Sequence, residues 1–164
     1  MSDDGARQRF VDRYGGLFEH SPWVAERTFE RGPFADRDHL LRELCATMRA
    51  ATRDEQLALI RAHPDLAGRL AQQGALTRDS TAEQASAGLD RLSSEELARF
   101  QELNAAYRSR FGFPFVICAR LNDRSAIRAA MERRLAHDAD AEFDSALAEI
   151  EKIAALRLAD YGAP

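Results

Sequence analysis

The sequence predicts an all-α protein, a single-domain helical bundle of about seven to nine helices. Three observations carry that prediction. Apolar residues recur at steps of three and four along most of the chain. Cap residues followed three positions later by glutamate punctuate it, at Thr52/Glu55, Ser80/Glu83 and Ser93/Glu96. The single β-branched and aromatic run, FPFVICA, is interrupted by Pro114 and is too short and solitary to build a sheet.

Taken in order, the first helical signal is Ser21-Pro22, an N-cap followed by proline at the first helical position, opening a helix over 22–30. Residues 36–51 place Leu40, Leu41, Leu44 and Met48 on one face. Thr52 and Glu55 cap the next helix, which the pattern carries to His63, where Pro64 stops it. Ser80 and Glu83 have capping-box spacing for a short helix reaching about Gly88. After Ser93, Leu97, Phe100, Asn104, Tyr107 and Phe111 form an amphipathic stripe that stops at Gly112. Helices from about 123 to 136 and from about 139 to 160 complete the chain. With 164 residues and no long linker, the simplest expectation is one domain over 1–164, fraying at 1–5 and 161–164.

Composition narrows the function classes. The net charge of −4 argues against a general nucleic-acid binder. No run of about 18 apolar residues occurs, and the N-terminus MSDDGARQRF lacks an apolar signal core, so neither membrane insertion nor standard secretion is expected. Cys45 and Cys118 sit in apolar settings and are expected as buried free thiols, which suits a reducing, cytoplasmic location. The basic residues are 22 arginines and one lysine, Lys152, which we read as codon bias of a GC-rich bacterial genome.

Three places are not explained by a core. His63 lies three and four residues after Ile60 and Leu59, so it turns inward with them. A helix C-terminus favours the imidazolium, and an acid poised near neutral pH suits proton transfer; a hydrogen-bonded histidine that only caps the helix is the simpler reading. In DSTAEQ, the helix start would leave backbone N–H groups free to hold an anion, beside Gln84. Arg157 extends the stripe of Phe143, Leu147, Ile150 and Ala154. It is either a snorkelling arginine at the core's edge or an inward guanidinium for a carboxylate. His20, His39 and His137 show no HExxH or HxxxH spacing, so no metal site is expected. The row Arg120, Arg124 and Arg128 reads mainly as a solvated face.

Together these pieces resemble a known family. FEHSPWVAERTF (18–29), RAHPDLAG (61–68), DSTAEQASAGLDRL (79–92), FQELNAAYRSRFGFPFVICARLN (100–122) and a late arginine in ALRLAD (155–160) occur in the order found in the 2-oxo-4-hydroxy-4-carboxy-5-ureidoimidazoline (OHCU) decarboxylases. HPDL lies 17 residues before SxxEQ, and the ordered set is far more specific than any one piece.

The resemblance implies a cofactor-free, metal-free, all-helical homodimer that decarboxylates OHCU to (S)-allantoin in urate breakdown. It implies His63 and Glu83 as catalytic residues. Substrate binding is implied for Pro64, for Ser80, Thr81, Ala82, Glu83 and Gln84, for the stretch Phe115, Val116, Ile117, Cys118 and Ala119, and for Arg157. Alternatives are a non-enzymatic helical interaction module and a family member acting on another ureido or carboxylated imidazoline. A small regulator binding nucleic acid through the arginine row is a third.

Overall fold

The structure, a computed structural model, describes residues 3–161. Among them are nine α-helices and no strand: α1 (Asp3–Tyr14), α2 (Trp23–Thr28), α3 (Arg37–Ala50), α4 (Arg53–Arg61), α5 (Arg69–Gln72), α6 (Arg78–Ser86), α7 (Ser94–Phe111), α8 (Arg124–Arg134) and α9 (Ala139–Ala159). Three 3₁₀ turns lie at Gly15–Leu17, Phe29–Arg31 and Ala119–Leu121. The all-α prediction holds, and FPFVICA is an irregular connection between helices. Residues 1–2 and 162–164, inside the termini expected to fray, lie outside the described residues, and α1 begins at Asp3.

The chain forms two compact units, residues 1–62 with 151–164 and residues 63–150. In the first, α2 packs on α1 and on α3, and Thr28 Oγ1 donates to Thr47 Oγ1 at 2.7 Å between α2 and α3. Leu17, Val24, Leu44, Met48, Leu59 and Ile60 are fully buried there. The capping box of α4 forms as expected, since Thr52 Oγ1 accepts from Glu55 N and Glu55 Oε1 accepts from Thr52 N, each at 3.1 Å. Helix α1, absent from the sequence reading, has a weakly patterned, charged face. It gains local support from Gln8 bonding Asp12 at 2.8 Å and from Phe10 against Tyr14 one turn on, with ring centroids 4.9 Å apart.

In the second unit, α7 carries the expected stripe, burying Phe100, Leu103, Asn104 and Tyr107. It starts on the Ser93/Glu96 capping box and ends on Gly112 in the left-handed region at φ 77°, where a glycine has no Cβ to strain. Tyr107 meets Phe115 edge-on with centroids 5.4 Å apart, and Phe113 meets Phe143 at 6.0 Å. Beneath them Glu142, wholly buried, accepts from Tyr107 Oη at 2.5 Å and Arg134 Nε at 2.8 Å, and pairs with His137 Nδ1 at 2.9 Å. A buried carboxylate is tolerated only when paired and hydrogen-bonded, and these three groups supply that.

Three boundaries differ from the sequence reading. Helix α2 starts at Trp23 with Pro22 as its N-cap and no side-chain cap, while Ser21 Oγ donates to Glu19 O at 2.8 Å. Helix α4 stops at Arg61 with Ala62 as its C-cap, so His63 is not in the last turn where the helix dipole acts. Pro64 disfavours helical backbone at the residue before it, which accounts for the earlier stop. Helix α6 starts on Thr77, whose Oγ1 accepts from Ser80 N at 3.2 Å, instead of on Ser80. Both are N-cap residue types; the earlier start places Ser80 and Gln84 one turn apart on a buried face. No helix among the described residues is long and apolar enough to cross a membrane.

Candidate active site

The second unit gathers most of the expected site residues around the loop 63–68. His63 is 7% exposed. It leads into Pro64, Asp65, Leu66, Ala67 and Gly68, and every peptide from 65 to 67 is held. Gln84 of α6 grips the loop twice: Oε1 accepts from Ala67 N at 2.9 Å and Nε2 donates to Asp65 O at 3.3 Å. Asn104 Nδ2 of α7 donates to Leu66 O at 2.9 Å, and Arg108 Nε donates to Asp65 Oδ1 at 2.9 Å. Ala67 has φ 51°, a region costly for a side chain. A Cβ on Gly68 would stand 2.6 Å from that of Asp65, so the loop is tight.

Helix α6, which also carries Ser80 and Glu83, therefore meets this loop through Gln84. Ser80 and Gln84 are buried, Glu83 is half-buried, and Thr81 and Ala82 are exposed. The expectation of free N–H groups near Ser80 is corrected. Ser80 N bonds Thr77 Oγ1, and Thr81 N bonds Thr77 O at 2.9 Å, because Thr77 caps the helix a turn earlier. What α6 offers a ligand from these positions is side chain, chiefly the carboxylate of Glu83.

Helix α6 also packs on the 3₁₀ turn Ala119–Leu121, which brings in the FPFVICA stretch. Phe115, Val116, Ile117, Cys118 and Ala119 are all buried. Side chains take over the pairing a sheet would provide. Arg134 Nη1 donates to Val116 O at 2.9 Å while its guanidinium lies 4.4 Å over the Phe115 ring. Cys118 N donates to Glu149 Oε1 at 3.1 Å, and Asn122 Nδ2 donates to Cys118 O at 3.0 Å. These bonds narrow the expectation that the stretch offers its amides to a ligand, since Val116 O, Cys118 N and Cys118 O already serve the fold.

Burial pushes the Cys118 thiol up, and the Glu149 and Glu83 carboxylates add to it, so both acids lie near that thiol. In the first unit Cys45, half-buried and so more open than expected, is pushed up to about 12 by burial and by Glu151. The raised values predict inert thiols. A chromogenic disulfide reagent should therefore label the native protein far more slowly than the urea-unfolded chain.

Arg157 belongs to the first unit. Its side chain is 3% exposed, Nη1 donates to Gly16 O at 3.1 Å, and Nη2 lies 3.5 Å from Oε2 of Glu19, itself 3% exposed. The guanidinium is inward, as one of the two readings required, and it faces a carboxylate of its own chain. Glu19, Asn104, Arg108, Arg134 and Glu149 escaped the sequence reading. Asn104 entered only as a member of the α7 stripe, Glu19 and Arg108 lay inside quoted family stretches without being singled out, and Arg134 and Glu149 carried no local signal.

The family model for OHCU decarboxylase matches residues 4–159. The chain belongs to the OHCU decarboxylase family. Among relatives in this family, the 2-oxo-4-hydroxy-4-carboxy-5-ureidoimidazoline decarboxylase of Haloferax volcanii is 49% identical over 151 residues, covering 92% of this chain and 88% of that protein. A uric acid degradation bifunctional protein of Bacillus subtilis is 40% identical over 153 residues, 93% of this chain and 30% of that one. The crystal structure of an (S)-allantoin synthase superposes with a TM-score of 0.76 at 30% identity, covering 94% of this chain. This chain spans half the length of that structure. Family membership agrees with the resemblance seen in the ordered motifs.

Proposed function

We propose that this protein is a carboxy-lyase that converts OHCU to (S)-allantoin and CO₂ in urate breakdown, with His63 delivering the proton. The observation that carries the reading is the placement of His63: buried, on a loop gripped by Gln84 of the helix that also bears Ser80 and Glu83. Relatives of this family act as OHCU decarboxylases by name, and one is named for uric acid degradation.

The chemistry sets the requirements. The bond between C4 and its carboxylate breaks, CO₂ leaves, and the electron pair moves into the adjacent C5=N imine, whose nitrogen takes up a proton, leaving a C4=C5 enol. The 4-hydroxyl then loses its proton to become the product's carbonyl, and one proton must reach one face of C5, the carbon that bears the ureido group. His63 supplies it, and a donor fixed on one side yields one enantiomer. Glu83 holds the 4-hydroxyl and ureido groups. Arg157 takes the substrate carboxylate through its planar guanidinium. The apolar walls of the 115–119 stretch exclude water, which strengthens each polar contact in the transition state. No metal or organic cofactor enters this scheme, because the imine of the substrate itself accepts the electron pair. The enzyme works as a homodimer in the cytosol, as its family resemblance and free thiols suggest.

The test is a coupled assay followed by circular dichroism, with urate oxidase and hydroxyisourate hydrolase generating OHCU in the cuvette. Rapid appearance of optically active allantoin on adding the protein is expected. A signal no faster than the uncatalysed decay would overturn the substrate assignment.

A further inference from the structure

We propose that Asn104, acting with Gln84 and Arg108, is a positioning residue that aims His63. The inference rests on the reading of His63 as proton donor and extends it to residues that touch no substrate in the scheme above.

Asn104 sits where helical periodicity asks for an apolar side chain, in line with Leu97, Phe100, Tyr107 and Phe111. It is 5% exposed, and its Oδ1 is buried with no hydrogen bond among the described residues. A leucine would fill the position without that desolvation penalty. The one bond that singles out asparagine is Nδ2 to Leu66 O, 38 residues away. Arg108, four residues on and so on the same face of α7, reaches Asp65 of the same loop. From the other side Gln84 uses both ends of its amide on the loop's main chain, accepting from Ala67 and donating to Asp65. The donor and acceptor pattern fixes which way each amide points.

These bonds act on a short lever. Pro64 fixes its own φ and restricts the backbone of His63. The peptides 65–66 and 66–67 are fixed by Gln84 and Asn104 and the Asp65 side chain by Arg108, with Ala67 held at φ 51°. The imidazole therefore projects from a backbone with almost no freedom downstream. Proton delivery depends on the donor lying within hydrogen-bond reach of the ring carbon, and a shift of about 1 Å can cost roughly 10²-fold in rate. Gln84, which the sequence reading gave to the substrate, is placed by this geometry in the support of the loop.

The experiment compares Asn104→Leu and Arg108→Met with His63→Ala and with the double variant His63→Ala/Asn104→Leu in the coupled assay. Asn104→Leu keeps the side chain's branching and heavy-atom count and removes the donor. It should lower kcat by roughly 10- to 100-fold with KM within about twofold, and lower the enantiomeric purity of the allantoin. In the His63→Ala background it should cost nothing further, because an aim without a donor has no value. Equal losses in both backgrounds, or a kcat matching the parent, would overturn the inference. If Asn104→Leu does not fold, Arg108→Met carries the test from an exposed position: a severalfold loss of kcat at unchanged KM is expected, and no loss would overturn it. The parent reading fails separately, by His63→Ala retaining full activity.

Discussion

Replacing His63 by alanine is expected to lower kcat by about 10²–10⁴-fold, the range of a positioned general acid, while the helical spectrum and urea midpoint stay close to the parent's. The side chain is small and lies at a helix exit, not among the large core residues, so stability and catalysis should separate. Residual turnover should give allantoin of low optical purity, since solvent then protonates either face of the enol. A variant with parental rate and parental purity would remove His63 from the mechanism and leave Glu83 as the candidate proton carrier.

The second large effect concerns the fold. Glu142→Ala should destabilise the protein by about 3–5 kcal/mol, the usual result of stranding one member of a buried ion pair. The substitution leaves the Arg134 guanidinium, 7% exposed, without its carboxylate and takes the acceptor from Tyr107 Oη. Burial, the main cause that holds the Tyr107 phenol above its ordinary range, remains in the variant, so Tyr107 does not replace the lost charge. Urea unfolding followed by helix signal measures the change. A loss below about 1 kcal/mol would show the pair to be energetically idle. Because Arg134 also holds Val116 O, the same variant should loosen the 113–118 stretch, visible as faster amide hydrogen exchange there.

How much of this was legible beforehand depends on the range of the interaction. The capping boxes at Thr52/Glu55 and Ser93/Glu96, the stripe on α7 and the Gly112 stop are local in sequence, and each was read correctly. Where local chemistry allowed two answers it misled: Thr77 and Ser80 can both cap, and burial of the Ser80/Gln84 face favours the earlier start. The helix to His63 likewise ended two residues sooner, since Pro64 acts on the residue before it. Family membership was legible because its motifs carry order and spacing as well as residue type.

The sequence by itself determined that the chain is helical, where most of the helices begin and end, and which motifs mark the family. Periodicity, caps and proline restrictions are set by residues within a turn or two of each other. Only the tertiary structure decided what the polar residues of those motifs do. It gave Gln84 to the loop's main chain, Asn104 to Leu66, Arg134 to Glu142 and Val116, and Glu19 to Arg157. A buried hydrogen-bonding group must find its partner wherever packing brings one, and packing joins positions that no local spacing connects.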